Sequence, residues 1–184
     1  MDVTLLTAAT DQHFEGILQL QKENLYKTLP VEQQTREGFV YAEHNLEVLK
    51  RMASYLPQVI ALAGGKVVGY NLAMTSVMQN ELSSLAPMFE EFKKCHYRGR
   101  PLADYHFIVG GQVCVDKDFR GQGLLSRLYR GTAERVSSQY QLCVTEISQR
   151  NSKSLAAHLK MGFEVIRTYD DKSELWDIVA WNMR

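Results

Sequence analysis

Two spacings of apolar residues alternate along this chain. Val113 and Val115 fall on one face of an extended segment and Cys114 on the other, the period of a strand. Farther on, Leu125, Leu128, Tyr129, Thr132, Ala133 and Val136 recur at i, i+3, i+4, i+7, i+8 and i+11 and form one face of a helix. Between them lie the polar, turn-like Asp116 to Phe119 and then Arg120-Gly-Gln-Gly123. The same spacings predict a strand over 3–8. A helix capped by Thr10 or Asp11 follows, with Phe14, Ile17, Leu18 and Leu25 on a face. A second helix is expected over 36–55, with Leu46, Leu49 and Ala53 inward and Gly38 weakening its start.

Val59 to Met74 reads as a hairpin, two β-rich runs around Gly64-Gly65, both able to take the positive φ of a type I′ turn. From Thr75 to Tyr105, Leu82, Leu85, Ala86, Phe89 and Phe92 have helical spacing, and Pro87 either kinks that helix or starts a new one. Gly110-Gly111, inside the strand pattern leading to Val113, suggests a bulge or a close backbone approach. Gln141 to Ile147 is a strand expected to run parallel to the central one, because a helical crossover joins them. Segments 163–169 and 174–183, around Asp170-Asp171, form a final hairpin. With no linker, repeat or low-complexity stretch, residues 1–184 are expected to form a single domain.

Composition narrows the partners. The 21 Lys and Arg balance the 21 Asp and Glu, so no net field draws the chain to nucleic acid or an anionic membrane. No apolar run approaches the roughly 18 residues of a membrane span, and the N-terminus lacks the pattern of a secretory leader, so a cytoplasmic protein is expected. Cys95, Cys114 and Cys143 are odd in number and lack C-x-x-C spacing, so neither disulfides nor a metal site are expected.

A strand running through glycines into a helix start suits an anion. Glycine lets successive N–H groups converge, and the helix behind them leaves its first N–H groups free at the positive end of its dipole. The same residues also fit a plain tight turn. Neither of the common nucleotide fingerprints is present.

Arg120-Gly-Gln-Gly123-Leu-Leu125 resembles the Arg/Gln-x-x-Gly-x-Gly/Ala signature of the GCN5-related N-acetyltransferase (GNAT) superfamily, with Leu125 where that family has a small residue. Asn151-Ser-Lys-Ser-Leu-Ala-Ala-His-Leu-Lys-Met-Gly-Phe163 is similar to the family's Asn-x-x-Ala/Ser-x-x-x-Tyr/His-x-x-x-Gly-Phe run. The resemblance implies an α/β (α+β) fold, a mixed and mostly antiparallel sheet of about seven strands flanked by helices. Residues 75–105 would then be a helical insertion between strands 3 and 4. It implies acetyl-CoA as cosubstrate, with no metal. Main-chain groups of Arg120, Gly121, Gln122, Gly123, Leu124, Leu125 and Ser126 would hold its pyrophosphate and those of Val113 and Val115 its pantetheine arm, while Asn151 would bond that arm or cap the helix that follows. The first two helices would cover the acceptor side, where Tyr26, Phe39, Tyr41 and His44 could meet an amine-bearing small molecule or peptide. A homodimer is the default expectation.

Acyl transfer to an amine sets the chemistry. An amine with a pKa of about 10.4 needs a base to expose its lone pair, and a thiolate of pKa about 8.5 leaves more readily with a proton donor. His158 occupies the position where most family members carry the Tyr donor. For the base, the central strand offers Gln112 and no carboxylate, so Glu146 on the neighbouring strand is the expected base, with His106 behind it. Lys117, Arg120 and Arg127 are expected to neutralise phosphate. No cysteine sits in a nucleophile setting, so direct attack without a covalent enzyme intermediate is implied. Gln112 and His158 also leave open a non-catalytic acyl-CoA-binding sensor or regulatory module.

Overall fold

The computed structural model describes residues 2–184. A short strand, β1 (Thr4–Thr7), leads into three helices: α1 (Asp11–Asn24), α2 (Val31–Glu37) and α3 (Leu46–Tyr55). The hairpin β2 (Val59–Ala63) and β3 (Lys66–Met74) follows, turning through Gly64 and Gly65 as the pattern predicts. The insertion holds α4 (Met78–Glu81), α5 (Ala86–Phe92) and a two-rung ribbon of β4 (His96–Tyr97) and β5 (Arg100–Pro101). Pro87 stands in the first turn of α5, where its missing N–H costs nothing. Then come β6 (Phe107–Val115), α6 (Leu124–Val136), β7 (Leu142–Ser148), α7 (Ser152–Met161) and the closing hairpin of β8 (Glu164–Asp170) and β9 (Leu175–Asn182).

Seven strands form one sheet in the order β1-β2-β3-β6-β7-β9-β8, antiparallel throughout except for the parallel pair β6–β7. The expected mixed, mostly antiparallel seven-stranded sheet flanked by helices is what forms. One face packs against α1, α3 and α5 through Phe14, Ile17, Leu49, Met52, Phe89 and Phe92, meeting Val144, Ile178 and Ala180 of the sheet. The other face carries α6 and α7, with Tyr129, Val136 and Phe163 over Cys143, Ile147 and Val179. Ile17, Leu49, Ile108 and Ile178 are wholly withdrawn from water, a transfer worth about 1.5–3 kcal/mol apiece.

One predicted helix divides. The span 36–55 was expected to be continuous, but α2 ends at Glu37 and Gly38 takes φ 79°, a left-handed conformation that breaks the helix. Residues 39–45 run without helix until Asn45 caps α3, its Oδ1 accepting from Val48 N–H at 2.9 Å. Helix α1 ends at Asn24, so Leu25 is not on its face; Leu25 instead forms an isolated parallel bridge with Val40.

Candidate cofactor cleft and acceptor side

The parallel pair β6–β7 sets the site. Its register holds for Phe107–Leu142, Ile108–Cys143 and Val109–Val144, and a last link runs from Thr145 Oγ1 to the Gly110 carbonyl at 2.7 Å. Beyond it the strands part. The cause is in β6, which stays paired with β3 to Val115 but carries an extra residue, Gly111, between the Leu72–Gln112 and Ala73–Gly110 pairs. The Asp116 N–H bonds the Val68 carbonyl of β3, so by alternation Cys114 and Gln112 also address β3. The main-chain groups of Val113 and Val115 therefore face the open gap, and the Val115 carbonyl there accepts from Arg120 Nε at 2.9 Å.

A cleft of about 980 Å³ opens at this gap, bounded by Val113, Val115, the loop 117–126, α7 and residues 36–40. Gly121 and Gly123 both adopt φ 74°, which a side chain would resist, and a Cβ at either would stand in open space. Gly123 precedes α6 with no side-chain cap, and the first helical bond is Arg127 N–H to the Gly123 carbonyl at 3.1 Å. The N–H groups of Leu124, Leu125 and Ser126 thus have no acceptor within the helix. Leu125 packs its half-buried side chain against the Tyr129 cluster and is among the residues that bound the cleft. Gln122 spans the loop, donating to the Asp118 carbonyl at 3.1 Å. Lys117, Lys153 and Lys160 line the cleft as well.

The cationic side chains of the motif are used differently from expectation. Arg120 donates to the Val115 carbonyl, to the Glu37 carbonyl at 3.2 Å and to Asn24 Oδ1 at 2.6 Å, with Glu37 Oε2 at 3.5 Å. It is a strut between β6, α1 and α2. Arg127 donates to the Val3 carbonyl at 2.9 Å and does not line the cleft. Asn151, 6 % exposed, precedes α7 without capping it; Nδ2 donates to the Phe39 carbonyl at 2.7 Å, and Oδ1 is buried with no partner. Gln112 donates to the Ala42 carbonyl at 2.7 Å and accepts from the Tyr70 hydroxyl at 2.6 Å. Arg120, Asn151 and Gln112 thus pin three carbonyls of the segment 37–42 over the sheet.

Glu146 and His158 do not meet. Side chains alternate along β7, so Glu146 lies on the face of Leu142 and Val144, and His158 packs from α7 against the opposite face. His158 is 2 % exposed. Its Nδ1 sits 2.7 Å from the Ser154 carbonyl and so carries the proton, leaving Nε2 to accept from the Tyr129 hydroxyl at 2.8 Å. Burial pulls its pKa down to about 4, so the ring is neutral at physiological pH. The imidazolium donor expected there is absent, and His158 does not line the cleft. His106 is exposed at the far end of β6, before its first paired residue, and does not line the gap.

Glu146 is half-buried on the stretch of β7 that has left β6, and, like His158, it is not among the residues that bound the cleft. Its Oε2 accepts from the Tyr169 hydroxyl at 2.6 Å. Burial pushes its pKa up to about 7; the Tyr169 bond opposes the rise and the charge of Asp171 adds to it. Beside it, Tyr26 stacks on Tyr41 with centroids 4.5 Å apart, Tyr41 meets Trp176 edge-on at 4.9 Å, and Trp176 Nε1 donates to Asp171 Oδ2 at 2.9 Å. Phe39 lies under the Arg150 guanidinium, which is paired with Glu174. His44 is held by Gln21, whose Oε1 accepts from the His44 N–H at 2.7 Å, and its pKa is lowered to about 4 by burial. The insertion reaches this side through Glu91, which accepts from Arg167 Nε at 2.9 Å. Tyr169, Trp176 and Asp171 escaped sequence reasoning, because nothing local marks which residues of a hairpin turn inward. Among the described residues no group of three or more His, Cys, Asp or Glu could hold a metal ion, and no helix is long and apolar enough to cross a membrane.

Known proteins share this fold. An apo-form mutant of agmatine N-acetyltransferase superposes with a TM-score of 0.67 at 16 % identity, covering 99 % of this chain and 100 % of that one. The NatC complex bound to Gag peptide and CoA gives a TM-score of 0.66 at 13 % identity and covers 99 % of each chain. NAA60 of Arabidopsis thaliana in complex with acetyl-CoA gives 0.65 at 12 % identity, covering 98 % and 99 %. At such identities these likenesses establish the fold. No curated protein matches the sequence. Residues 14–163, most of the chain, match the profile of the Acetyltransferase (GNAT) family, and with its glycine loop, parted strands and seven-stranded sheet the chain belongs to that family.

Proposed function

We propose that this protein transfers the acetyl group of acetyl-CoA to an amine on a small molecule or peptide, by direct attack and without a covalent enzyme intermediate. One observation carries the reading: β6 and β7 part beside the glycine loop, and Glu146 stands on the stretch that the parting opens. The cleft fits the cosubstrate. The amides of the 120–126 loop and of the first turn of α6 offer donors for a diphosphate. Val113 and Val115 present strand-edge groups to the amides of a pantetheine arm, and Asn151 borders the cleft beside them. Bound acetyl-CoA would supply the activated acyl group.

Glu146 is the base of this reading. A carboxylate of pKa about 7 is half ionised at neutral pH and strong enough to take a proton from an ammonium as its lone pair is engaged. Free N–H groups of β6 on the gap side would stabilise the oxyanion that develops at the acyl carbon. Cys95 is pushed up to about 11 and Cys114 and Cys143 to about 12 by burial, so the thiols stay protonated, in keeping with direct attack. His158 enters no step, because both ring nitrogens are engaged away from the cleft.

The test is calorimetry with coenzyme A, then release of its thiol from acetyl-CoA with a panel of diamines, amino acids and peptides. Turnover that falls at least a hundredfold in Glu146→Gln, with coenzyme A affinity unchanged, is expected. A second reading has its own support in the withdrawal of His158 and the engagement of Gln112 with Ala42 and Tyr70. It is a sensor that holds acyl-CoA without transfer, and binding with no thiol release across the panel would favour it.

A further inference from the structure

We propose that Tyr169 is a positioning residue for Glu146, holding one carboxylate oxygen so that the other is presented to the acceptor amine. This rests on Glu146 being the base. The geometry is set by an irregularity in β8. Its register with β9 runs Glu164–Ala180 and Val165–Val179, then skips Ile166 and resumes as Arg167–Ile178, Thr168–Asp177 and Tyr169–Trp176. Cross-strand partners share a face, and Ile178 and Ala180 face the cluster that holds Val144. Without the extra residue, Thr168 would stand opposite Trp176 and Tyr169 would point to the other side. The bulge turns the phenol onto the face of Glu146, where its hydroxyl meets Oε2 at 2.6 Å.

Chemistry explains why a phenol suits this place. Among the described residues, no cation pairs with Glu146. An Arg or Lys there would orient the carboxylate but also lower its pKa by about 1–3 units and weaken it as a base. Tyr169 orients without adding charge. It keeps its own proton, since burial and the nearby Glu146, Asp171 and Glu91 all hold it far above the ordinary phenol range. Those two further carboxylates do not compete for its hydroxyl. Asp171 is taken up by Ser173 and Trp176, and Glu91 by Arg167 and Lys94. One hydroxyl proton goes to Oε2, and among the described residues Oε1 has no partner, leaving it for the amine or an intervening water.

The test is Tyr169→Phe, which removes a single oxygen, beside Glu146→Gln. Carbon-13 NMR of glutamate-labelled protein follows the Glu146 carboxyl, assigned by its loss in Glu146→Gln. Losing the bond to the charged form should raise its titration midpoint by about one pH unit. With the best amine of the panel, the acid limb of kcat/KM should move up with it, leaving a roughly tenfold loss at pH 6, little loss at pH 9 and unchanged coenzyme A affinity. An unchanged midpoint and a superimposable profile overturn the role of Tyr169. If Glu146→Gln is dead while Tyr169→Phe behaves as the parent, this inference alone fails; if Glu146→Gln keeps parental turnover, the base assignment fails and takes this role with it.

Discussion

Asn151 donates its side-chain N–H to the Phe39 carbonyl at 2.7 Å and keeps its own amide oxygen buried without a partner. A buried orphan oxygen costs about 1–3 kcal/mol, and here it packs against Gly38, 2.9 Å from where a Cβ would stand. One residue thereby fastens the segment 37–42, which bounds the cleft, to the start of α7.

Asn151→Ala releases the segment that bounds the cleft. Coenzyme A affinity should fall about tenfold and stability by about 1–2 kcal/mol, read by calorimetry and by chemical denaturation. Asn151→Asp, which keeps an oxygen but sets a carboxylate against the Phe39 carbonyl, should lose stability at least as much.

Arg120→Lys should act mainly on the fold. A single ammonium cannot reach the carbonyls of Val115 and Glu37 and the Asn24 side chain together, as the guanidinium fork does. The expected loss is about 2–3 kcal/mol in denaturant unfolding, with coenzyme A affinity reduced less than tenfold. A larger loss of affinity than of stability would place the guanidinium on the ligand.

Gly123→Ala meets no neighbouring atom, so only the backbone resists it. Holding alanine at φ 74° costs about 1–2 kcal/mol, a drop of a few degrees in Tm. The methyl group also projects into open space beside the loop amides, and coenzyme A affinity should fall tenfold or more by calorimetry.

His158→Phe tests the reassignment of that residue. Phenylalanine abandons the Tyr129 hydroxyl and the Ser154 carbonyl, so stability should fall by about 1–3 kcal/mol. Turnover per folded molecule, measured by thiol release at saturating acetyl-CoA, should stay within a few-fold of the parent. A collapse of turnover in a folded variant would return the ring to the mechanism.

Acid should destabilise the protein through its histidines. His44 and His158 have folded pKa values of about 4, below the ordinary 6.5, so the unfolded chain binds more protons between those limits and stability falls as pH drops from 6.5 toward 4. Shifts of that size are worth up to about 3 kcal/mol each. Glu146, raised to about 7, works the other way between 7 and 4.5, and one such group does not offset two histidines. Unfolding midpoints measured from pH 8 to pH 5 should decline, and His158→Phe should flatten the slope.

Local pattern accounts for much of this architecture. The Gly64-Gly65 hairpin, the bulge at Gly110-Gly111, the crossover that makes β7 parallel to β6 and the glycine loop before α6 all follow from short-range periodicity and turn chemistry. What escaped depends on longer relations. Gly38 reads only as a weak helical residue until its positive φ and the contact of Asn151 Oδ1, 2.9 Å from where its Cβ would stand, show why the chain breaks there. Tyr169 is silent in the sequence because its direction hangs on a single extra residue in β8. Both Arg120 and His158 sit at motif positions, yet their partners lie 96 and 29 residues away, at Asn24 and Tyr129. A motif fixes where the chain turns; which distant neighbour claims a side chain is decided by packing.

The three register pairs between β6 and β7 have a mechanical consequence. They are the seam between a four-stranded leaf, β1-β2-β3-β6, and a three-stranded leaf, β7-β9-β8. A ligand that filled the divergence would act as a wedge spanning both leaves, replacing hydrogen bonds that the backbone forgoes there. Rigidity there would then come with the ligand, and the protein by itself should breathe most along that line.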